Sequence, residues 1–327
     1  MAQIILGLAT SHSPQLSIPA DLWAPYAERD KRNPDLRDPD GHHRSYDDLL
    51  AAAGTMYQSE LTPQTWHTRH AACQQGIARL GAMLEEMDPD ALIIIGDDQK
   101  ELFHDDNMPA MLVYWGDTIR NVPRYGDTPS PVMQAAAWGY GTETRDYPIA
   151  TGLATHLIAS LMEQDFDVAH SHHLPPEQGM GHAFSFICAR LMPKKTVPIV
   201  PIMLNTYYPP NQPAPKRCYT LGQAIQRAVA SWPDTSRVAI AASGGLSHFV
   251  IDEDLDQQTL KALQHHDAAA IAALPRERLN SGNSEIRNWI AMAGAVDHLE
   301  MQVIDYVPCY RSPAGTGCAM GFAQWGR

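Results

Sequence analysis

The sequence predicts an α/β fold, in which one domain is built on a mainly parallel mixed sheet with helices on both faces. Two observations lead to this prediction. Short runs rich in Ile, Val and Leu alternate along the chain with longer stretches of helical periodicity. Some of these runs, such as Leu92–Ile95, are apolar at every position, which is typical of central strands that are covered on both faces.

The aliphatic runs and the amphipathic stretches predict the individual elements in chain order. The predicted strands are Gln3–Leu8, Ala91–Ile95, Met111–Tyr114, Asp167–His170, Thr196–Leu204, Arg237–Ala242 and Gln302–Pro308. The predicted helices are Pro63–Glu86, Ile149–Glu163, Gly181–Leu191, Arg217–Ser231, Leu255–Ala273 and Ser284–Ala295. No internal repeat or low-complexity linker interrupts this order, so we expect one domain over residues 1–327.

Two long excursions interrupt the alternation of strands and helices, near residues 21–60 and 117–147. Their centres, Asp21–Asp48 and Asn121–Asp146, carry no strong period, and the first is rich in proline and charge. Long excursions in compact domains often serve as lids or substrate loops. We therefore expect both to approach a functional site.

Composition and charge exclude several classes of protein. The 327 residues are 44% hydrophobic, so the chain can bury a large core, and a formal net charge of −13 opposes general nucleic-acid binding. Five cysteines without CxxC spacing do not indicate a disulfide framework or a zinc site. No apolar run is long enough for a membrane span, and the first residues do not resemble a signal peptide. We expect a cytoplasmic protein that binds neither nucleic acid nor membrane.

Histidines cluster where the predicted strands end, which is the edge at which open α/β sheets bind ligands. His12 follows the first strand, His104 lies in the segment after the second, and His248 follows the sixth. The fourth strand leads into a further group, His170, His172, His173 and His182. Because histidine is the commonest metal ligand and titrates near neutral pH, these positions indicate a metal or acid–base site.

Several of these residues are open to a second interpretation. A buried histidine satisfied by backbone groups would explain His12 as well, and a solvated cluster would explain the group at 170–173. The neighbours Ser247 and His248 suggest a serine hydrolase, but the sequence lacks the GxSxG elbow. The pair Gly244-Gly245 before them forms a tight turn or lets the backbone approach a ligand closely.

Glu285 is the carboxylate that best fits such a site. Asn283 or Ser284 is predicted to cap the helix that begins there, and Glu285 falls in its first turn, where the helix dipole favours a negative charge. Ile286, Trp289 and the apolar residues that follow at helical spacing predict a buried face. Glu285 becomes a ligand if this helix begins at the pocket, and otherwise it only complements the dipole.

Four segments spread over most of the chain share one order and spacing: Ala9–Pro14, Pro89–Pro109, Gly244–His248 and Ser284–Ala295. Together they resemble the class III extradiol ring-cleavage dioxygenases, the superfamily of the protocatechuate 4,5-dioxygenase β subunit. This resemblance implies aromatic catabolism by an oxidoreductase. It implies a non-haem Fe(II) that is held by two histidines and one glutamate and leaves open positions for a catecholic diol and O₂.

The resemblance also implies roles for individual residues. His12 corresponds to the first histidine ligand, Glu285 to the carboxylate ligand, and His248 to the acid–base that assists deprotonation of the diol. Gln99 stands where the family has its second histidine ligand, and Gln178 stands in the family's Asp-His-Gly element. A neutral amide oxygen is a weaker donor than imidazole.

Three explanations of these glutamines stay open. Gln99 coordinates the metal weakly, a nearby histidine (His182, His104 or His43) replaces it, or the protein is not an iron dioxygenase. His182 is favoured among the histidines, as a further catalytic residue, because it lies about one helical turn beyond Gln178.

The same resemblance implies a substrate and partners. The expected substrate is a catechol of the protocatechuate, gallate or methylgallate kind, cleaved with O₂, and a homodimer or a small helical partner subunit is expected. Because the chain is acidic, a local group must orient a substrate carboxylate; the candidates are Arg217, Arg287, Arg311 and Tyr207. Two alternatives are a metal-dependent hydrolase or lyase on the same scaffold, and a binding protein whose metal site has decayed.

Overall fold

The computed structural model describes residues 1–124, 130–175 and 177–326. Within these residues the strands are β1 Gln3–Thr10, β2 Ala91–Asp97, β3 Met111–Tyr114, β4 Thr118–Asn121, β5 Arg145–Pro148, β6 Ala169–Ser171, β7 Ile199–Leu204, β8 Arg237–Ser243, β9 His248–Val250, β10 Glu300–Tyr310 and β11 Thr316–Gly326. The α-helices are α1 Pro14–Ser17, α2 Trp23–Ala27, α3 Tyr46–Ala53, α4 Pro63–Met87, α5 Pro131–Ala137, α6 Thr151–Glu163, α7 His182–Leu191, α8 Pro215–Ser231, α9 Glu253–Gln264, α10 Ala268–Ala272 and α11 Ile286–Ala295. Short 3₁₀ turns include Glu28–Arg32, Trp138–Tyr140 and Ser281–Glu285.

The main sheet of the described residues has nine strands in the order β10-β11-β1-β8-β2-β7-β3-β6, with β9 paired to β11. The central strands β1, β8, β2 and β7 run parallel, whereas β11 is antiparallel to β1 and to β10. This confirms the predicted α/β fold with a mainly parallel mixed sheet. That the domain extends over all of residues 1–327 stays a prediction.

Helices cover the sheet on both faces. Phe322 of β11 contacts Gly76 of α4, whereas the backbone of the preceding Gly321 lies against Trp289 of α11. Because successive residues of a strand point to opposite faces, α4 and α11 lie on opposite sides of the sheet. One continuous apolar core between these layers contains residues from both ends of the chain, from Ala2 to Trp325.

The structure corrects several predicted elements. The helix predicted over Leu255–Ala273 is two helices, α9 and α10, because the chain turns at His266, whose φ is +52°. The helix predicted from Ser284 begins at Ile286, after a 3₁₀ turn. The strands predicted from Thr196 and from Asp167 begin at Ile199 and Ala169. The sequence did not predict β9, β11 or the β4–β5 hairpin.

The two excursions contain structure of their own. Residues 21–60 contain α2, α3 and 3₁₀ turns, and residues 117–147 contain the β4–β5 hairpin with α5 between its strands. Residues 125–129 of the second excursion lie outside the described residues. None of the helices in the described part of the chain is long and apolar enough to span a bilayer.

Candidate metal centre

Three neighbouring parallel strands place side chains at one edge of the sheet. Thr10 at the end of β1 pairs with Ser243 at the end of β8, and Ile95 near the end of β2 pairs with Ala242 of β8. The residues that follow these strands, among them His12, therefore meet at their carboxyl ends, where open α/β sheets bind ligands. The fold thus brings these segments to the edge of the sheet at which the sequence predicts a site.

His12 lies just beyond β1 and is 6% exposed. Its Nδ1 is 3.0 Å from the hydroxyl of Ser243, at the end of the neighbouring β8. Its Nε2 lies 3.3 Å from the Glu285 Oε2 atom. Burial is the largest influence on this imidazole and lowers its pKa, so His12 tends toward the neutral form that a metal ligand requires.

Glu285 is buried at the junction between the Ser281–Glu285 turn and α11. Its Oε2 accepts a hydrogen bond from the backbone N–H of Gly245 at 2.7 Å, and its Oε1 lies 3.3 Å from Nε2 of His248. The predicted capping is wrong: Asn283 instead accepts a hydrogen bond from the backbone N–H of His248, and Ser284 donates its hydroxyl to Thr206. The helix thus begins at the pocket.

Glycines 244 and 245 permit this close approach. Gly244 has a φ of +154°, and a Cβ there would lie 2.9 Å from the amide nitrogen of Asn288. A Cβ on Gly245 would lie 2.6 Å from Nδ1 of His248. Side chains at these positions would displace the loop whose N–H group holds Glu285.

His182 is the first residue of α7, and its Nε2 lies 2.9 Å from Nε2 of His12. Its Nδ1 lies 2.7 Å from the Oε2 atom of Glu101, a carboxylate that can only accept. Nδ1 therefore carries a proton, and Nε2 is the nitrogen that faces His12 and that can present a lone pair to a metal when the ring is neutral. A carboxylate behind the imidazole is the usual arrangement at metal-binding histidines.

Asp97 ends β2 and is fully buried. Its Oδ1 accepts a hydrogen bond from the amide of Asn288 at 3.0 Å, whereas its Oδ2 is buried without a hydrogen-bond partner among the described residues. This Oδ2 atom lies 3.9 Å from Nε2 of His182. An unpaired buried carboxylate oxygen is costly unless a cation or a proton accompanies it.

Asp97 and Glu101 lie in the segment that follows the second predicted strand, but neither of them was predicted to have a role in the site. A usable signal was present, because Asp97 continues a wholly apolar run, and an ionisable residue at the end of a fully buried strand needs a partner.

Four of these residues form a group that fits a divalent metal: ligand atoms of His12, Asp97, His182 and Glu285 all lie within 4.8 Å of one another. Neighbouring ligands about 2.1 Å from one ion lie roughly 3 Å apart. The 2.9 Å and 3.3 Å separations from His12 to His182 and Glu285 match that spacing. The imidazole and carboxylate donors, with the unpaired Asp97 oxygen, therefore suit a transition metal.

The electrostatics of the group also favour a cation. Burial disfavours the charged form of His182, but the carboxylates of Glu101 and Asp97 outweigh it and raise the pKa of His182 to about 10. Burial and the neighbouring Glu285 raise the pKa of Asp97 to about 8. Burial opposes ionisation of Glu285, yet His248 and His12 hold its pKa well below the usual range. The carboxylates thus place excess negative charge at the site, and His182 and Asp97 hold protons more tightly as a result.

Gln99 reaches the same cavity but faces the carboxylate through its amide nitrogen. Its Nε2 donates a hydrogen bond to Oε1 of Glu285 at 2.9 Å, and a donor N–H cannot coordinate a cation. The other histidines considered for this position are exposed: His104 lies in a surface turn, and His43 hydrogen bonds to Arg37. Of the open alternatives, His182 is the one that the structure brings to His12.

His248 lies beside the group and is held by its own turn. Its Nδ1 donates to the carbonyl of Leu246 at 2.9 Å, so the Nε2 that faces Glu285 carries the lone pair of the neutral ring. Burial lowers the pKa of His248, but the Glu285 carboxylate outweighs this and raises it.

Ser247, by contrast, donates its hydroxyl to Asp256 at 2.6 Å. Among the described residues, it forms no hydrogen bond with a histidine side chain. That geometry does not fit a serine nucleophile activated by His248.

The remaining histidines of the strand-end group lie elsewhere. His170 accepts a hydrogen bond from the indole of Trp115, and His172 bonds to His173 at the end of β6, where the cluster is largely solvent-exposed. Gln178 is exposed as well. None of these side chains belongs to the four-residue group.

The group opens into a cavity of about 870 Å³. Its wall includes aromatic residues and cations from both excursions, namely Tyr26, Arg29, Lys31, Arg32, Arg124 and Tyr140, together with Phe186 of α7 and Phe249 of β9.

The residues that the sequence offers for orienting a substrate carboxylate each contact other groups among the described residues, and their role toward substrate stays a prediction. Arg287 donates only to backbone carbonyls, Arg217 lies over Phe166, Tyr207 bonds to Asp35, and Arg311 in the cavity wall is paired with Asp30.

Comparison with known proteins assigns the family. The family model for the catalytic LigB subunit of aromatic ring-opening dioxygenase matches residues 51–317, which include Asp97, His182, His248 and Glu285. A gallate dioxygenase of Pseudomonas putida is 31% identical over 194 residues, 55% of each chain. A 2,3-dihydroxyphenylpropionate/2,3-dihydroxicinnamic acid 1,2-dioxygenase of Azotobacter vinelandii is 29% identical over 172 residues, 53% of this chain and 48% of the relative. The chain spans about half the length of these curated relatives. It belongs to the LigB family, the catalytic subunits of class III extradiol ring-opening dioxygenases.

Proposed function

We propose that this protein is an Fe(II)-dependent extradiol dioxygenase that opens the ring of a catecholic substrate with O₂. The observation that carries the proposal is the convergence of His12, His182 and Glu285, with Asp97 beside them, at the carboxyl edge of the sheet. Two histidines and one carboxylate with open positions are the ligand set of many non-haem Fe(II) oxygenases. Membership of the LigB family supports the same chemistry.

His12, His182 and Glu285 would hold the iron, and Asp97 offers a further carboxylate oxygen. Fe(II), when bound, would supply open coordination positions for the diol and O₂ and would relay electrons from the diol to O₂. The protein keeps these ligands in place through hydrogen bonds to their far sides: Ser243 contacts His12, and the N–H of Gly245 holds Glu285. Such outer contacts fix ligand orientation before metal binds.

His248 would act as the acid–base. Because its Nδ1–H is committed to the Leu246 carbonyl, only its Nε2 can exchange a proton with a substrate in the cavity. Contact with Glu285 raises its pKa, which favours acceptance of a proton from a substrate hydroxyl. The same nitrogen can return that proton after the ring has opened.

The substrate would be a single-ring catechol with an acidic substituent, such as protocatechuate, gallate or methylgallate. A cavity of about 870 Å³ accommodates a single aromatic ring with its substituents, and Arg29, Lys31, Arg32 and Arg124 in its wall provide positive charge in an acidic protein. The relatives named for gallate and for 2,3-dihydroxyphenylpropionate support this substrate class.

Metal analysis and oxygen uptake test the proposal. Protein purified under nitrogen and loaded with Fe(II) is mixed with protocatechuate, gallate, methylgallate and 2,3-dihydroxyphenylpropionate, and O₂ consumption and product absorbance are recorded. We expect about one iron per chain and one O₂ consumed per ring opened with at least one of these catechols. Light scattering of the same sample tests the expected homodimer.

The controls separate this reaction from the alternatives. The variant His12→Ala should lose iron and activity together, whereas His173→Ala, at the exposed cluster, should retain both. Turnover that continues without O₂ would favour a hydrolase or lyase instead. Tight binding of catechols without iron and without turnover would indicate a binding protein and contradict the proposal.

A further inference from the structure

Glu101 connects the metal centre to the second excursion. Its carboxylate is 7% exposed and accepts hydrogen bonds from Nδ1 of His182 at 2.7 Å and from the backbone N–H of the same residue at 3.0 and 3.1 Å. One side chain thus orients the imidazole and also satisfies the first N–H of α7, which the preceding Gly181 cannot cap with a side chain.

Tyr140 holds this carboxylate from the other side. It ends the 3₁₀ turn Trp138–Tyr140 and donates its hydroxyl to Oε1 of Glu101 at 2.6 Å. Arg124 lies 3.4 Å from the same oxygen, and its guanidinium lies 5.2 Å from the centre of the Tyr140 ring. Burial and the charge of Glu101 raise the pKa of Tyr140, so the hydroxyl stays a donor at neutral pH.

We propose that Tyr140 is a positioning residue for the metal centre: it holds Glu101 so that the His182 ring keeps its Nε2 turned toward His12, and it thereby raises the affinity of the site for a divalent cation. This inference rests on the proposed function, because it takes His182 as a ligand. It assigns to the excursion of residues 117–147 a role in holding metal as well as in shaping the cavity.

The physical reason is that the end of a glutamate side chain rotates easily. The last torsion of a glutamate has a broad energy minimum, so its carboxylate plane rotates unless both oxygens are engaged. Oε2 of Glu101 is fixed by His182, whereas Oε1 depends on Tyr140, on the long contact to Arg124 and on one backbone N–H. Loss of such outer contacts typically weakens metal binding 10- to 100-fold.

A role confined to anchoring the excursion would leave metal affinity unchanged, and this difference makes the proposal testable. Chelator-treated full-length protein is titrated with Co(II) alone under nitrogen, by calorimetry and by the visible absorption of bound Co(II). The variants are Tyr140→Phe, Glu101→Gln and, as the matched control, Tyr147→Phe. Tyr147 lies on β5 of the same excursion and is buried next to Arg145, away from the group.

We expect Tyr140→Phe to weaken Co(II) binding about 10-fold and to alter the absorption spectrum, and Glu101→Gln to weaken binding by as much as 100-fold. Tyr147→Phe should bind like the wild type. Unchanged affinity and spectrum in Tyr140→Phe would overturn the inference but leave the proposed metal centre intact, whereas failure of the wild type to bind Co(II) would remove both. Should Tyr140→Phe not fold, as judged by circular dichroism, Arg124→Gln provides the same comparison, because it weakens the hold on the same oxygen.

Discussion

The Nε2 atoms of His12 and His182 lie 2.9 Å apart, although 170 residues separate them in the chain. His12 follows β1, and His182 begins α7, so only the folded sheet brings them together. Two nitrogens that both present lone pairs at this distance repel each other unless a proton or a metal ion lies between them. Their separation supports the proposal that His182 supplies the second histidine of the site.

The first prediction compares His182 with Gln99 as metal ligands. The variant His182→Ala should lose most of its iron, because among the described residues no other imidazole lies where Nε2 meets His12, whereas Gln99→Ala should keep nearly one iron per chain, because the amide reaches Glu285 through a hydrogen-bond donor. Iron analysis of both proteins, purified under nitrogen, measures this. If Gln99→Ala loses iron while His182→Ala keeps it, the second ligand is at position 99.

The second prediction concerns His248 as the acid–base. The variant His248→Gln should retain iron, because the residue faces Glu285 from beside the four-residue group, but kcat should fall by about 10²–10⁴, the usual contribution of a general acid–base. Steady-state oxygen uptake and iron content measure the two effects. A variant that keeps wild-type kcat would show that another group moves the proton.

The third prediction concerns the buried ion pair that fixes the first excursion. Arg311 donates to both carboxylate oxygens of Asp30, at 2.7 and 2.8 Å, and both side chains are buried. The variant Asp30→Asn leaves the guanidinium without its counter-charge, so the free energy of unfolding should fall by about 3–5 kcal/mol. Urea unfolding measures this. The exposed pair of Lys31 and Glu28 supplies the control: Lys31→Gln should leave the unfolding curve unchanged, and an equal loss in both variants would contradict the prediction.

The fourth prediction concerns the pH dependence of stability. Burial raises the pKa of Asp256 to about 7, against an ordinary value near 4, even though Ser247 and Tyr306 donate to it. Between those pH values the folded state binds a proton that the unfolded state has released, so this carboxyl's contribution to stability is greatest at low pH and falls as the pH rises toward 7.

The variant Asp256→Asn isolates this effect, because asparagine does not titrate. The free energy of unfolding of the wild type minus that of the variant should decrease from pH 5 to pH 7 by at most about 1.4 kcal/mol per pH unit and should level off above pH 7. Urea unfolding of both proteins at each pH, with chelator present, gives the difference. A difference that stays constant over this range would show that the carboxyl titrates normally.

The sequence by itself determined the α/β fold and the approximate position of most elements, because aliphatic runs and helical periodicity are local signals. The run at Ala91–Ile95 became β2, and the stretch at Pro63–Glu86 became α4 almost to the residue. The strand Thr316–Gly326 gave no such signal, because it is rich in small residues and glycine. It is a strand because β1 and β10 lie on either side and pair with its backbone.

For the site as well, the sequence determined some features and the tertiary structure decided the others. Position after a strand or at a helix start, together with the order of the motifs, was enough to select His12, His248 and Glu285 from the sequence. The tertiary structure decided that the Gln99 amide turns its nitrogen to Glu285, that His182 meets His12, and that one Asp97 oxygen has no hydrogen-bond partner within the described part of the chain. These are contacts between loops distant in the chain, and a local pattern cannot encode which side chains meet when such loops pack together.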